Sequence, residues 1–307
     1  MSAELTRRVL FGVVAAPIGV GIVLAGGAAL AALLAVLAAL AAWEFFRIAR
    51  AAGLTPFDDL GIAAAGLVPL VVHARYLRLY DPDKSISGLS IAALALLVVL
   101  AAAIWRRGVD GHPLSSAATT VFGIAYTGGM LSYAYAIRYH DYAIGTTTLP
   151  WAMFGRAISL PVGGLLLLMP VLITWASDIG AYAVGRAIGR NKLIPSVSPG
   201  KTREGAVGGL AASVLLAWAY ATFFLHPSAS LGFKYAPFGV LVFGAVVSVA
   251  AQIGDLAESL LKREAGVKDS SHIIPGHGGV LDRFDSLLFV LPVAFVLLGR
   301  LLTWAPR

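Results

Sequence analysis

The sequence predicts an all-α fold: a polytopic integral membrane protein of about nine transmembrane helices in one bundle. Of its 307 residues, 59% are hydrophobic and only 13% are charged, roughly half the ~25% that a solvated globular domain carries. The mean hydropathy is +0.84. A hydrocarbon core about 30 Å thick takes about 20 residues of helix, and apolar runs of that order recur nine times along the chain.

The runs cover approximately residues 9–26, 28–46, 60–76, 89–105, 117–137, 160–184, 206–225, 237–260 and 284–304. Backbone groups in lipid have to be satisfied within their own segment, so each run is read as a helix. The first follows Arg7 and Arg8 like the basic start of a signal peptide, but Gly26 and Gly27 lead straight into the next run, which fits a retained helix better than a cleaved leader. The second, rich in Ala and Leu, carries no charge until Glu44, whereas the third is interrupted by Pro69 and His73. The fourth and fifth end at Arg106-Arg107 and Arg138, bases read as topology signals. The sixth holds Asp178, the seventh follows Lys201 and Arg203, the eighth ends around Asp255 and Glu258, and the ninth starts among Asp282 and Asp285.

Nine spans divide the 23 basic residues into fifteen on the side of the N-terminus and eight on the other, which places the N-terminus in the cytoplasm. Residues 1–150 supply the N-terminal transmembrane helices and 151–307 the C-terminal ones with the chemistry-bearing motifs, within one membrane domain. No internal repeat of the kind that marks many transporters is visible. The net charge of +7 comes from bases scattered among apolar runs rather than from a stripe with interleaved aromatics, so no nucleic acid partner is expected. The absence of cysteine excludes disulfides, thiolate nucleophiles and Cys-ligated metals, and leaves oxygen or imidazole as metal ligands.

Charge is concentrated late in the chain. Residues 178–204 and 255–285 hold 17 of the 39 charged residues in 58 of 307 positions. A carboxylate in or beside hydrocarbon is costly, by about 2.5 kcal/mol or more at a helix centre, and persists where it faces a polar cavity, pairs with a base or binds a cation. On helices, Asp255, Ser259 and Lys262 share one face at i, i+4 and i+7, and Asp282, Asp285 and Ser286 share another. Two helices thus offer carboxylates that can converge, and hard oxygen ligands without thiols favour Mg²⁺, which takes one or two carboxylates and leaves its other positions to water and phosphate. The alternative is ion pairing within the membrane, for instance Asp255 with Lys262.

The bases suggest what such a metal carries. Ser198-Pro199-Gly200-Lys201-Thr202 resembles the end of a phosphate loop, but position 195 is proline where a Walker A motif needs glycine. Its glycine, lysine and threonine remain suited to holding phosphate. Lys262, Arg263, Lys268 and Arg283 add four cations; anionic lipid headgroups explain their sign but not the acids between them. In Pro275-Gly276-His277-Gly278-Gly279 the backbone can approach a ligand closely, and His277 suits phosphate binding or proton transfer. The other histidines have no metal-ligand spacing. The pairs Gly163-Gly164 and Gly208-Gly209 suit close helix contacts, within one chain or between two copies of a homodimer.

From Ser259 to Asp285 the chain reads Ser259-Leu260-Leu261-Lys262-Arg263, four residues, Lys268-Asp269, then Ile274-Pro275-Gly276-His277-Gly278-Gly279-Val280-Leu281-Asp282-Arg283-Phe284-Asp285. This stretch resembles the signature of the phosphatidate cytidylyltransferases, also called CDP-diacylglycerol synthases, at every specified position. Further likeness lies upstream in Asp178 with Ala181-Tyr182 and Gly185-Arg186, in Lys192-Leu193, in the Ser198–Thr202 stretch with Glu204-Gly205, and in Gln252-Ile253-Gly254-Asp255. Together these cover residues 175–286, and Trp43-Glu44-Phe45-Phe46 extends them weakly.

The resemblance implies a bacterial inner-membrane, multi-pass enzyme with its active site facing the cytoplasm. It would condense CTP with phosphatidic acid, a membrane lipid, to give CDP-diacylglycerol and pyrophosphate with Mg²⁺. Asp255 and Asp282 would be metal ligands, with Asp178 and Asp285 as supporting acids. Lys201, Lys262, Arg263, Lys268 and Arg283 would bind phosphates, helped by Ser198, Gly200 and Thr202. His277 with Gly278 and Gly279 would shape the nucleotide loop, Ser259 and Ser270 would offer oxygen, and Asp269 would orient Lys268. The alternatives are a related CTP-dependent lipid enzyme, either an archaeal-lipid cytidylyltransferase or a polyprenol kinase, and a cation-coupled transporter.

Overall fold

Nine helical runs form among the described residues of the computed structural model, which are 3–77, 88–140, 146–148, 159–225, 233–235, 238–274 and 278–304. They are α1 (Ala3–Ala25), α2 (Gly27–Ala51), α3 (Asp58–Tyr76) and α4 (Gly88–Arg106), then α5 (Pro113–Ile124) continuing through a π-helical turn into α6 (Met130–Arg138). After these come α7 (Val162–Ile188), α8 (Arg203–Tyr220) with a π-helical last turn at Ala221–Leu225, α9 (Gly239–Glu264) and α10 (Leu281–Leu301). Each coincides with one of the nine apolar runs to within a few residues. The helices that carry charged turns extend past the apolar window: α9 reaches Lys262 and Arg263 in its last turn, and α10 begins with Asp282 in its first. The fold is all-α apart from short antiparallel ribbons: β1 (Thr146–Thr148) with β2 (Ser159–Pro161), β3 (Lys192–Ile194) with β4 (Ser198–Thr202), which concerns the site, and β5 (Phe233–Tyr235) with β6 (Leu302–Trp304).

Among the described residues four helices, Gly27–Ala51, Val162–Ile188, Arg203–Leu225 and Gly239–Glu264, are long and apolar enough to cross a membrane. This is a membrane protein. The proline and histidine in the third run do not break α3, which continues through Pro69. His73 meets the Tyr135 hydroxyl at 2.5 Å through Nδ1, so its polar edge is satisfied.

The chain folds as two compact units whose segments interleave. One comprises Met1–Val14, Gly27–Tyr135 and Leu261–Phe284. Its helices α2, α3, α4 and α5 are tied together at one end. Gly53, at φ +84°, closes α2, with Leu54 N–H reaching back to the Ala49 carbonyl at 3.0 Å. Arg50 pairs with Asp58 at 2.7 Å and Arg106 with Asp59 at 2.7 Å; the Arg106 guanidinium holds the Asp59 carboxyl below the usual carboxylate range. Arg107 donates to the Thr55 carbonyl at 2.8 Å and to Ser116 Oγ at 3.2 Å.

The other unit comprises Ala15–Gly26, Ala136–Leu260 and Asp285–Arg307. Arg138, counted from sequence as a topology signal, is buried here, and donates to the Val23 and Leu24 carbonyls at 3.0 and 2.9 Å. It thereby satisfies the open C-terminal end of α1, where cations are favoured. Both glycine pairs serve contacts within the chain. A Cβ on Gly163 would stand 2.0 Å from the Arg138 carbonyl oxygen, and one on Gly208 would stand 2.5 Å from Val184. Opposite Gly208, a Cβ on Gly180 would meet Ala212 at 2.6 Å, so α7 and α8 approach to backbone distance along a seam of small residues.

Candidate active site

The predicted site residues fall into two clusters, one in each unit. The first surrounds a cavity of about 480 Å³ whose wall includes Asp178, Tyr182, Arg186, Lys201, Gln252 and Asp255. Helix α7 supplies Asp178, Tyr182 and Arg186, the β4 strand supplies Lys201, and α9 supplies Gln252 and Asp255. The stretch resembling a phosphate loop is therefore a strand of a hairpin, not a loop wrapped around an anion. The hairpin is held firmly at its base. Thr202 caps α8 by accepting from Gly205 N–H at 3.1 Å, and Glu204 accepts from the Asn191 side-chain amide at 2.6 Å and from the backbone N–H groups of Arg190 and Asn191 at 3.2 Å. Gly189 and Gly205 let this junction close: a Cβ on Gly189 would lie 2.2 Å from the Gly185 carbonyl oxygen, and one on Gly205 2.8 Å from that of Ala181.

Within the cavity Lys201 Nζ lies 2.7 Å from Asp255 Oδ2, both side chains partly exposed. Ser259 Oγ donates to Asp255 Oδ1 at 3.4 Å, the i, i+4 relation expected. Beneath the acid, Gln252 donates to the Ala206 carbonyl at 3.1 Å and to Ser248 Oγ at 3.2 Å, and Ser248 in turn bonds Ser177 at 2.8 Å. This polar chain ties α7, α8 and α9 beside Asp178 and within two turns of Asp255; of its members only Gln252 stood out in the sequence, because serines inside apolar runs give no signal of their partners. Gly254 brings α9 against α10, since a Cβ there would stand 2.8 Å from the Asp285 carbonyl oxygen. Asp285 Oδ1 accepts from Ser286 N–H at 2.5 Å.

The second cluster joins the last turn of α9, the loop after it and the first turn of α10. Gly266, at φ +68°, ends α9, with Val267 N–H bonded to the Lys262 carbonyl at 2.9 Å. Lys262 Nζ meets Asp282 Oδ1 at 2.6 Å, so the lysine set from sequence against Asp255 as a possible ion-pair partner pairs with the other acid. Asp282 Oδ2 accepts from Ser270 N–H at 3.0 Å, Ser270 Oγ at 2.8 Å and Gly279 N–H at 2.8 Å. Ser271 donates to Glu44 of α2, whose Oε2 also stands 3.0 Å from Ser270 Oγ and shares that one hydroxyl proton with Asp282. Arg263, Lys268, Asp269 and Arg283 are exposed on this loop and its flanks, Gly278 adopts φ +81°, and Ser198 is half-buried on β4 outside the cavity wall. His277 lies outside the described residues.

The donor set suits a hard divalent cation. Asp178 and Asp255 border one cavity, and two carboxylates with the remaining positions left to water and phosphate are what Mg²⁺ usually takes. Among the described residues no three acidic or imidazole side chains gather into a complete protein cage.

A model of the cytidylyltransferase family matches residues 6–301. The chain belongs to that family. Among its relatives, two proteins named phosphatidate cytidylyltransferase are similar along nearly their whole length. The Synechocystis sp. protein is 29% identical over 304 residues, 97% of each chain, and the Bacillus subtilis protein is 30% identical over 296 residues, 96% of this chain and 98% of that one. The Haemophilus influenzae protein is 49% identical over 135 residues, 43% of this chain and 45% of its own. Similarity within this cytidylyltransferase family is thus both end to end and, over shorter stretches, considerably higher.

Proposed function

We propose that the chain is a phosphatidate cytidylyltransferase that condenses CTP with phosphatidic acid to give CDP-diacylglycerol and pyrophosphate. What carries this reading is one cavity pairing Lys201 with Asp255 and lined by Asp178 and Arg186, on a chain that aligns over nearly its full length with proteins of that name. An oxygen of the lipid phosphate attacks the α-phosphorus of CTP in line; the new P–O bond forms as the bond to the β-phosphate breaks, and pyrophosphate leaves. A phosphomonoester has a second pKa near 6 and is largely ionised at neutral pH, so no strong general base is required.

Lys201 balances Asp255 in the free enzyme, and an arriving phosphate offers the ammonium a second anion. Arg186, held by the Tyr182 hydroxyl at 2.6 Å, presents another cation at the same wall. Lys262, Arg263, Lys268 and Arg283 bind phosphate, and His277 with Gly278 and Gly279 shapes the nucleotide loop. We assign Asp255 and Asp178 to Mg²⁺ in the first cluster, with Asp285 in support, and Asp282 to Mg²⁺ in the second. When bound, Mg²⁺ offsets negative charge on the triphosphate and on the lipid phosphate.

We further propose nine spans in the bacterial inner membrane with the N-terminus and the catalytic loops in the cytoplasm. The arginine-rich ties between the ends of α2 and α4 and the starts of α3 and α5 support this, because an alternating bundle puts those four ends on one side.

The test is turnover by the purified protein in detergent, with labelled CTP and phosphatidic acid, with and without Mg²⁺. CDP-diacylglycerol and pyrophosphate formed only with the metal and both substrates is the expected result. Formation of CDP and a phosphorylated polyprenol, product only from an archaeal-type lipid, or ion flux without CTP consumption would each replace this reading.

A further inference from the structure

We infer that Glu44, on α2, is a positioning residue for the reaction proposed above, acting by fastening Ser270-Ser271 and Val280-Leu281 to a single buried carboxylate. Glu44 is 0% exposed. Its Oε2 accepts from Ser270 Oγ at 3.0 Å and from Leu281 N–H at 2.5 Å, and its Oε1 accepts from Ser271 Oγ at 2.5 Å and from Val280 N–H at 2.9 Å. Two residues after α9 and two at the start of α10 thus converge on one side chain from a helix more than two hundred positions away in the chain.

A carboxylate this far from water is retained only where hydrogen bonds replace its hydration. Three donors do so here, Ser271 Oγ and two backbone amides at the start of α10, where negative charge is favoured, together with the single Ser270 hydroxyl proton that Glu44 shares with Asp282. The loop is tailored to the carboxylate in return. At Gly279 a Cβ would stand 2.0 Å from Ser270 Oγ and 2.5 and 2.6 Å from the two Glu44 oxygens, so only glycine fits.

The link to the chemistry is Ser270. Its hydroxyl stands between the two acids, 3.0 Å from Glu44 Oε2 and 2.8 Å from Asp282 Oδ2, and its N–H also bonds Asp282. Asp282 in turn holds Lys262 at 2.6 Å. Glu44 therefore sets the Ser270 and Gly279 donors that orient Asp282, and through Asp282 the Lys262 ammonium, without facing substrate itself. Because two carboxylates fill the start of α10, phosphate has to be met by the lysines and arginines rather than by that helix end.

Glu44→Gln keeps the volume but turns an NH₂ toward groups that are themselves donors. In detergent-purified protein of unchanged thermal midpoint we expect kcat to fall about ten- to hundredfold, the usual effect of losing an outer-shell orienting partner. KM for CTP and for phosphatidic acid should stay within about threefold of wild type, since no substrate contact is removed. Hydrogen exchange should quicken at the Val280 and Leu281 amides and not along α7. Wild-type kcat, a loss of kcat without faster exchange at those two amides, or a rise in KM that accounts for the whole effect would each overturn the inference. If Glu44→Gln is not recovered folded, Ser271→Ala removes one donor to Glu44, together with the acceptor of Ile273 N–H at 3.2 Å; a two- to fivefold loss of kcat, about the scale of one neutral hydrogen bond, is then expected with faster exchange at Val280, and wild-type behaviour in both measurements would overturn it. The exchange measurement needs no substrate, so a wild-type enzyme inactive on CTP and phosphatidic acid would refute the proposed function while leaving the Glu44 tie open to disproof on its own.

Discussion

Lys201 and Lys262 each neutralise one acid, at 2.7 and 2.6 Å, but in different surroundings. The Lys201–Asp255 pair borders a cavity, and its partners are partly solvated; the Lys262–Asp282 pair is nearly buried and belongs to a network that shapes a loop. Their variants should therefore differ. Lys201→Ala is expected to raise KM for CTP or for the lipid by about tenfold or more, as loss of a charged hydrogen bond does, with little change in thermal midpoint; unchanged kinetic constants would remove Lys201 from the site. Asp282→Asn should lower both activity and the melting temperature, because the amide cannot accept from all of its present donors. Two glycines give a sharper contrast. Gly279→Ala places its Cβ against Ser270 and Glu44 and should cost about 1–3 kcal/mol through overpacking. A Cβ on Gly200 meets nothing within 4 Å, so Gly200→Ala should melt within about 0.5 kcal/mol of wild type, and any activity it loses reports contact with substrate.

At the scale of elements, α7 and α8 form the platform on which the first cluster rests. Their contact runs through Gly180, Gly185, Gly205, Gly208 and Gly209, where backbones approach too closely for larger side chains. In a membrane the apolar driving force between helices is lost to lipid, so such close approach and hydrogen bonds such as Ser177–Ser248 carry the association. Gly208→Val should lower the thermal midpoint in detergent by the equivalent of about 1–3 kcal/mol, whereas Gly21→Val in α1, where a Cβ meets nothing within 4 Å, should leave it in place. Equal effects of the two substitutions would show that the seam does not hold the unit together. The helices themselves were legible in the sequence because hydropathy over about 20 residues is a local property. The β3–β4 hairpin was not: Ser198–Thr202 carries phosphate-loop residue types, and only its pairing with Lys192–Ile194 and the anchoring of Glu204 on Asn191 make it a strand.

For the whole molecule, a chain without cysteine allows topology to be read with single introduced thiols. Asp110, in the turn after α4, and Thr146, on the strand after α6, are both exposed. With nine spans and a cytoplasmic N-terminus, Asp110→Cys in intact cells should be protected from a membrane-impermeant maleimide and Thr146→Cys should be labelled; inverted or equal labelling would refute the topology.

Composition and run length alone determined that this is an all-α membrane protein, where its helices lie, and that acids and bases gather at 178–204 and 255–285, because each of these is a sum over neighbours in the chain. Motif spacing carried the family. What tertiary structure decided is who pairs with whom: Asp255 with Lys201 rather than Lys262, Lys262 with Asp282, and Glu44 with a loop that begins at Ser270. A buried carboxylate in an apolar helix reads in sequence as an isolated cost, and its partners become visible only when the backbone brings residues 44, 270, 271, 280 and 281 to one point. Pairing energy depends on distance in space and on exclusion of water, neither of which is a property of any one stretch of chain.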